Sequence, residues 1–231
     1  MKKIILLSIC LLSIAASVSA QRYPPARRNY PQRRAPQQQQ RKVVDNDFNR
    51  PRLGIVGGIN LANIIKPNDP GFRTDIKAGL NAGISLDVPI SYPFGFEADL
   101  LYSEKGYTAY TGFGGQFTQR SQFIDLPLLL KLYVTRGFSF VIGPQVSFLT
   151  STQNIYNNGF TTTVQNQYNL DSEGYNKTLI DGVFGVAIAL NRNVELRGRY
   201  TIDLQSNTSY ASSNNPQYAN QVWQIGIGYK F

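Results

Sequence analysis

Gln221-Val-Trp-Gln-Ile-Gly-Ile-Gly-Tyr-Lys-Phe231 is the stretch that decides the architecture. Trp223, Ile225, Ile227, Tyr229 and Phe231 occupy every second position, with Val222, Gln224, Gly226, Gly228 and Lys230 between them. Period two describes a β-strand with one apolar, aromatic face and one small or polar face. A strand of this kind at a chain terminus would be an edge prone to pairing with other chains. Pairing the last strand with the first removes that edge, so the terminal strand predicts a closed barrel.

Seven further alternating segments lie upstream. The first, about 53–62, sets Leu53, Ile55, Ile59 and Leu61 against Gly54, Gly58 and Asn60. The second, about 75–88, sets Ile76, Ala78, Leu80, Ala82, Ile84, Leu86 and Val88 against a face carrying Lys77, Asn81, Ser85 and Asp87. The third, about 94–107, opposes Phe94, Phe96, Ala98, Leu100 and Tyr102 to Glu97 and Asp99. The fourth, about 119–134, opposes Ile124, Leu126, Leu128, Leu130, Leu132 and Val134 to Asp125, Pro127, Lys131 and Tyr133. The fifth, sixth and seventh, about 138–150, 178–190 and 194–205, repeat the pattern; the seventh places Val194, Leu196, Tyr200, Ile202 and Leu204 against Glu195, Arg197, Arg199 and Asp203. Pro127 and Pro144 fall inside strands and predict a bulge or a break in the ladder.

Connections alternate in length: long near 63–74, 108–118, 151–177 and 206–220, short near 89–93, 135–137 and 191–193. This rhythm predicts an eight-stranded, antiparallel, up-and-down transmembrane β-barrel with both chain ends in the periplasm and outer-membrane lipid around it. Alternation alone also fits a soluble, lipocalin-like barrel with the apolar face inside. Aromatics near strand ends (Phe94, Phe96, Tyr102, Phe138, Phe148, Trp223, Tyr229, Phe231) favour the membrane version, as interfacial girdles. The polar face then lines the interior, with Lys77, Asp87, Glu97, Asp99, Asp125, Lys131, Asp181, Glu195, Arg197, Arg199 and Asp203 as a paired network. Unpaired charges there would be very costly. Eight strands leave room for side chains but not for a wide pore.

The N-terminal segment sets the compartment. Lys2 and Lys3 precede the apolar run Ile4–Ile14 and the small residues Val18-Ser19-Ala20, the pattern of a secretory signal over 1–20. A retained anchor is the alternative, but the run is short for a spanning helix. Cys10 lies in the apolar run and is expected to leave with the signal. No histidine occurs in the chain, which excludes Ser-His-Asp and Cys-His catalysis and His-ligated zinc.

The formal net charge of +9 is unevenly spread. Residues 21–52 carry Arg22, Arg27, Arg28, Arg33, Arg34, Arg41, Lys42, Arg50 and Arg52 against Asp45 and Asp47, within a Pro- and Gln-rich sequence. Residues 53–231 carry twelve basic and twelve acidic side chains. The segment 21–52 has no apolar periodicity to offset ordering, so it reads as a disordered periplasmic arm. Its charge suits an anionic periplasmic partner; export argues against nucleic acid.

Chemistry-bearing motifs are sparse. Glu97 and Asp99 lie two apart on one strand face opposite basic residues, the pattern of structural ion pairs rather than an acid–base couple. Gly54-Ile-Val-Gly57-Gly58 lacks the helix that a phosphate-binding turn requires. Asp171 and Glu173 are too few for a calcium site. No catalytic, metal or cofactor residues are assigned. The segment 151–177, with Asn154, Tyr156, Asn157, Tyr168, Asp171, Glu173 and Tyr175, has the Tyr/Asn chemistry of recognition loops and is the candidate binding loop. Trp223, Ile225, Ile227, Tyr229 and Phe231 form the candidate signal for the barrel-insertion machinery.

Three stretches carry a family resemblance: Phe123-Ile-Asp-Leu-Pro-Leu-Leu-Leu-Lys131, Gly143-Pro-Gln-Val-Ser-Phe-Leu149 and Leu53-Gly-Ile-Val-Gly-Gly-Ile-Asn60. Over about 53–231 the chain resembles the PorT-like outer-membrane β-barrels of Bacteroidetes-type bacteria. The resemblance implies the same barrel fold and an envelope location. The family name derives from a secretion component, a role the resemblance does not extend to this chain. The expectation is a non-enzymatic envelope protein with a structural or interaction role, the alternatives being a narrow solute channel or part of a secretion apparatus.

Overall fold

The C-terminal strand pairs with the first strand of the barrel. In the computed structural model, which describes residues 50–65, 74–110, 115–157, 161–167, 176–207 and 218–231, β1 (Arg52–Ile65) and β9 (Ala219–Lys230) run antiparallel from Gly54↔Lys230 to Ile65↔Ala219. The backbone N–H of Phe231 donates to the carbonyl of Leu53 at 2.8 Å, extending the seam to the last residue. The remaining strands are β2 (Thr74–Ser91), β3 (Phe94–Tyr110), β4 (Gln116–Thr135), β5 (Phe138–Asn157), β6 (Thr162–Gln167), β7 (Thr178–Ala189) and β8 (Val194–Asp203). Pairing runs β4-β3-β2-β1-β9-β8-β7-β5, and β4 pairs with β5 to close the ring at eight strands. All neighbours are antiparallel.

The ninth strand lies outside the ring count. β6 pairs with β5 from Thr152↔Gln167 to Asn157↔Thr162, forming a hairpin beyond the level where β7 takes over as the neighbour of β5. Here the expected loop 151–177 is corrected: β5 continues to Asn157, so Asn154, Tyr156 and Asn157 are strand residues. Polar residues dominate this extension, so it carried no apolar alternation by which to recognise a strand.

The direction of the two faces separates a membrane barrel from a soluble one. Ile84, Leu100, Ile142, Phe184, Ile225 and Ile227 point outward and are exposed, whereas Asp99, Asp125, Lys131 and Asp181 are almost wholly buried. A soluble barrel would show the inverse, since apolar surface is driven out of water. The apolar belt covers the ring and has the character of a lipid-facing surface. Aromatics gather at two levels: Phe94, Tyr229 and Phe231 by the short turns, and Tyr102, Phe148, Tyr200 and Trp223 towards the long connections. Phe96 and Phe138 are half-buried. Trp223 and Phe231 are eight residues apart, about 26 Å along the strand and roughly 20 Å along the normal at a tilt of about 40°.

Pro127 and Pro144 interrupt the ladder without shifting it. Pairing runs through Leu126↔Val146 and Pro127↔Gln145 and resumes in the same register at Leu130↔Ile142. The irregularities lie elsewhere, between Ile76 and Asn81, Pro89 and Ser91, Gln122 and Phe123, and Tyr133 and Thr135. Residues 1–49, which include the expected signal and nearly all of the expected arm, lie outside the described residues.

Candidate functional site: the charged interior

Strand alternation delivers inward-facing side chains from all round the ring, and their charges meet in two groups. The first lies towards the short turns. Lys131 of β4 places Nζ 3.0 Å from Asp87 Oδ2 of β2, 2.9 Å from Glu97 Oε2 of β3 and 2.9 Å from Glu195 Oε2 of β8. Lys230 of β9 joins the same carboxylates, at 2.6 Å from Asp87 and 2.7 Å from Glu195. Arg197 contacts Asp99 at 3.3 Å and Glu195 at 3.0 Å, and Arg199 contacts Asp99 at 2.7 Å and also Glu97. Tyr133 Oη donates to Asp87 Oδ1 at 2.9 Å, and Arg197 donates to Ser85 Oγ at 2.9 Å. Four cations thus face four carboxylates, and every charge has an opposite neighbour.

These contacts span the lumen. In the ring, β8 lies four strands from β3 in either direction, so the Arg197–Asp99 and Arg199–Glu97 pairs tie opposite walls together. Lys131–Glu195 bridges β4 to β8, three strands away. At this level the cross-section is occupied by ion-paired side chains. Beside them a void of about 20 Å³, lined in part by Val56, Asn81, Leu101, Arg197, Arg199 and Gln224, has room for a single water.

The second group lies further towards the long connections. Lys105 Nζ sits 3.1 Å from Asp125 Oδ1, 3.4 Å from Asp181 Oδ2 and 3.0 Å from Ser147 Oγ, and 4.6 Å from the centre of the Phe123 ring. Gln145 Nε2 donates to Asp181 Oδ2 at 2.7 Å, and Asn220 N donates to Asp203 Oδ2 at 2.9 Å. Apolar clusters separate and cap the charged levels. Leu129 packs with Val141 and Val183; Phe123 with Leu149 and Leu179; Ile64 with Tyr107, Ala109 and Tyr218. The interior is therefore mixed, not the uniformly polar lining that alternation predicts.

Of the residues assigned to the interior network from sequence, Asp87, Glu97, Asp99, Asp125, Lys131, Asp181, Glu195, Arg197, Arg199 and Asp203 lie in these two groups. Lys77 does not. It is half-buried, with Arg120 and Glu104 as its charged neighbours. The cause is the one-residue register shift between Ile76 and Asn81, which changes what β2 presents and to whom. Sequence reasoning missed Lys105 and Lys230. Both share the parity of their strand's inward face; Leu101 broke the polar run before Lys105, and Lys230 was the one charge on a face otherwise made of Val222, Gln224, Gly226 and Gly228.

Trp223, Ile225, Ile227, Tyr229 and Phe231 all face outward and are exposed. In the candidate binding segment, Asn154 is buried in the barrel wall, and the Tyr156 ring packs 4.9 Å from that of Phe117. Tyr168, Asp171, Glu173 and Tyr175 lie outside the described residues, as do Arg22, Arg27, Arg28, Arg33, Arg34, Arg41 and Lys42. Among the described residues no group of three or more Asp, Glu, Cys or His side chains is arranged to hold a metal ion.

Comparison with solved structures finds small membrane barrels. Neisserial surface protein A is 15% identical, with a TM-score of 0.45 over 78% of this chain and 97% of that one. The attachment invasion locus protein Ail of Yersinia pestis is 12% identical, with a TM-score of 0.43 over 78% and 98%. OprG of Pseudomonas aeruginosa is 15% identical, with a TM-score of 0.35 over 78% and 94%. No curated protein sequence matches the chain. The family model described as outer membrane protein beta-barrel domain matches residues 36–209. With that model spanning most of its 231 residues, the chain belongs to the outer-membrane β-barrel protein family, whose place is the outer membrane.

Proposed function

We propose that this protein is a closed, non-enzymatic outer-membrane anchor that works through what it displays at its two ends. Both termini face the periplasm, the long connections face outward as an interaction surface, and the basic arm 21–52 engages an anionic periplasmic partner. Within the outer-membrane barrels, the Phe123–Lys131 and Gly143–Leu149 segments favour the PorT-like, Bacteroidetes-type group. The observation that carries the reading is the set of ion pairs between opposite walls, Arg197–Asp99 and Lys131–Glu195 above all. A lumen bolted in this way supports a structural role over a solute channel. Buried ion pairs engaging every nearby carboxylate likewise support a structural over a catalytic role for Glu97 and Asp99.

Planar-bilayer recording tests the closed barrel: the purified protein is expected to give no steady conductance, and reproducible single-channel steps would overturn the reading. Deleting residues 21–50 tests the arm. Insertion should persist while periplasmic co-purification is lost; unchanged co-purification would remove the arm from the account.

A further inference from the structure

The two charge groups differ in balance. Near the short turns four cations meet four carboxylates; in the other group Lys105 alone meets Asp125, Asp181 and Asp203, all buried. Lys105 bonds Asp125 Oδ1 and Asp181 Oδ2 directly. Asp203 receives hydrogen bonds from the main-chain N and side-chain Nδ2 of Asn220, both on Oδ2. Asp181 Oδ2 also collects Gln145 and Ser147. Left over are Asp125 Oδ2, Asp181 Oδ1 and Asp203 Oδ1, each inaccessible to solvent and accepting no hydrogen bond; of the three carboxylates Asp125 stands nearest the Lys105 ammonium, at 3.1 Å.

Asp181 and Asp203 are direct register partners across β7 and β8, both on the inward face. Side chains so paired stand within about 4.5–5.5 Å at Cβ, where like charges repel. Burial raises that repulsion and also penalises a carboxylate oxygen without a donor. One proton shared by these two register partners relieves both problems between them: it cancels a charge and gives Asp181 Oδ1 and Asp203 Oδ1 a common partner, while Asp125 keeps its charge against Lys105. We propose that Asp181 and Asp203 share one proton, held between their Oδ1 atoms in an O–H···O bond, making the second charge group a proton-binding site in the barrel. The other charged groups facing the pair are Lys105 of β3 and Asp125 of β4; β5 and β9 contribute the neutral Gln145, Ser147 and Asn220. Deprotonation as pH rises returns the second negative charge, so this half of the barrel loses stability towards alkaline pH.

Infrared difference spectroscopy of the full chain refolded in lipid, at neutral pH before and after addition of a chelator, tests the proposal. The expected result is a protonated-carboxyl C=O band that disappears on alkaline titration and is absent from both Asp181→Asn and Asp203→Asn. The Asn amide keeps a donor at the same place, so both variants should migrate as folded barrels in the heat-modifiability gel. Absence of the band from the wild type, its persistence in both variants, or its appearance only after chelation, which would assign the site to a metal cation, overturns the proposal. Where a variant fails to fold, the titration of the wild-type band decides alone.

Discussion

Lys131 shows how much of the molecule rests on single side chains. Its ammonium lies within 3.0 Å of three buried carboxylates on three different strands. Replacing one partner of a buried ion pair costs about 3–5 kcal/mol, because the charges left behind keep their desolvation penalty. Lys131→Met should therefore lower the unfolding free energy of the refolded barrel by about that amount in denaturant titrations; a loss below about 0.5 kcal/mol would show that solvent, not Lys131, neutralises the cluster. At this scale the sequence was informative where parity was clean. Glu195, Arg197 and Arg199 alternate with apolar residues and are buried together as their spacing implies. Lys105 and Lys77 were misjudged for physical reasons. One follows a buried leucine on its own face, and the other precedes a register shift that no residue pattern announces.

At the scale of the element, the β1–β9 seam is the joint that closes the ring. Two of its glycines are packed quite differently. A Cβ at Gly58 would lie 2.3 Å from the Ile225 carbonyl oxygen and 2.6 Å from Gly226 Cα, whereas one at Gly57 meets nothing nearer than 3.8 Å. Backbone atoms in a ladder cannot move aside as a flexible side chain can. Gly58→Ala should sharply reduce the fraction migrating as a folded, heat-modifiable barrel, and Gly57→Ala should leave it unchanged; equal behaviour would mean that the seam is looser than described. Phe231 closes the ladder through its N–H to Leu53, and its ring lies 5.3 Å from that of Tyr229. Deleting Phe231 removes one terminal bond from a long seam, so the assembled barrel should lose little stability. If the terminal aromatic face is read by the insertion machinery, insertion in cells should fall far more; equal effects on both would count against that role. The eight ring strands were legible because membrane strands must alternate. β6 and the end of β5 were not, because polar, β-branched strand beyond the apolar belt has no such constraint.

At the scale of the whole molecule, the distribution of polarity is inverted relative to a water-soluble protein. Charge and amide groups, with apolar clusters between their levels, fill the lumen, and Ile, Leu, Phe, Tyr and Trp side chains form the outer surface. The barrel architecture could be read from the alternation, but the direction of its faces could not, since a lipocalin-like barrel shows the same period. Opposite walls joined by ion pairs, together with an outward apolar belt, fit a membrane barrel and not a soluble one. The chain carries a single tryptophan, Trp223, which stands on the outward face in contact with Tyr200 at 4.8 Å between ring centres. Its fluorescence is thus an intrinsic reporter of what surrounds the barrel. In bilayers containing brominated acyl chains, Trp223 emission should be strongly quenched, and an aqueous quencher such as iodide should have little effect. Quenching by iodide with no response to the brominated lipid would place the apolar face away from the membrane and contradict the account.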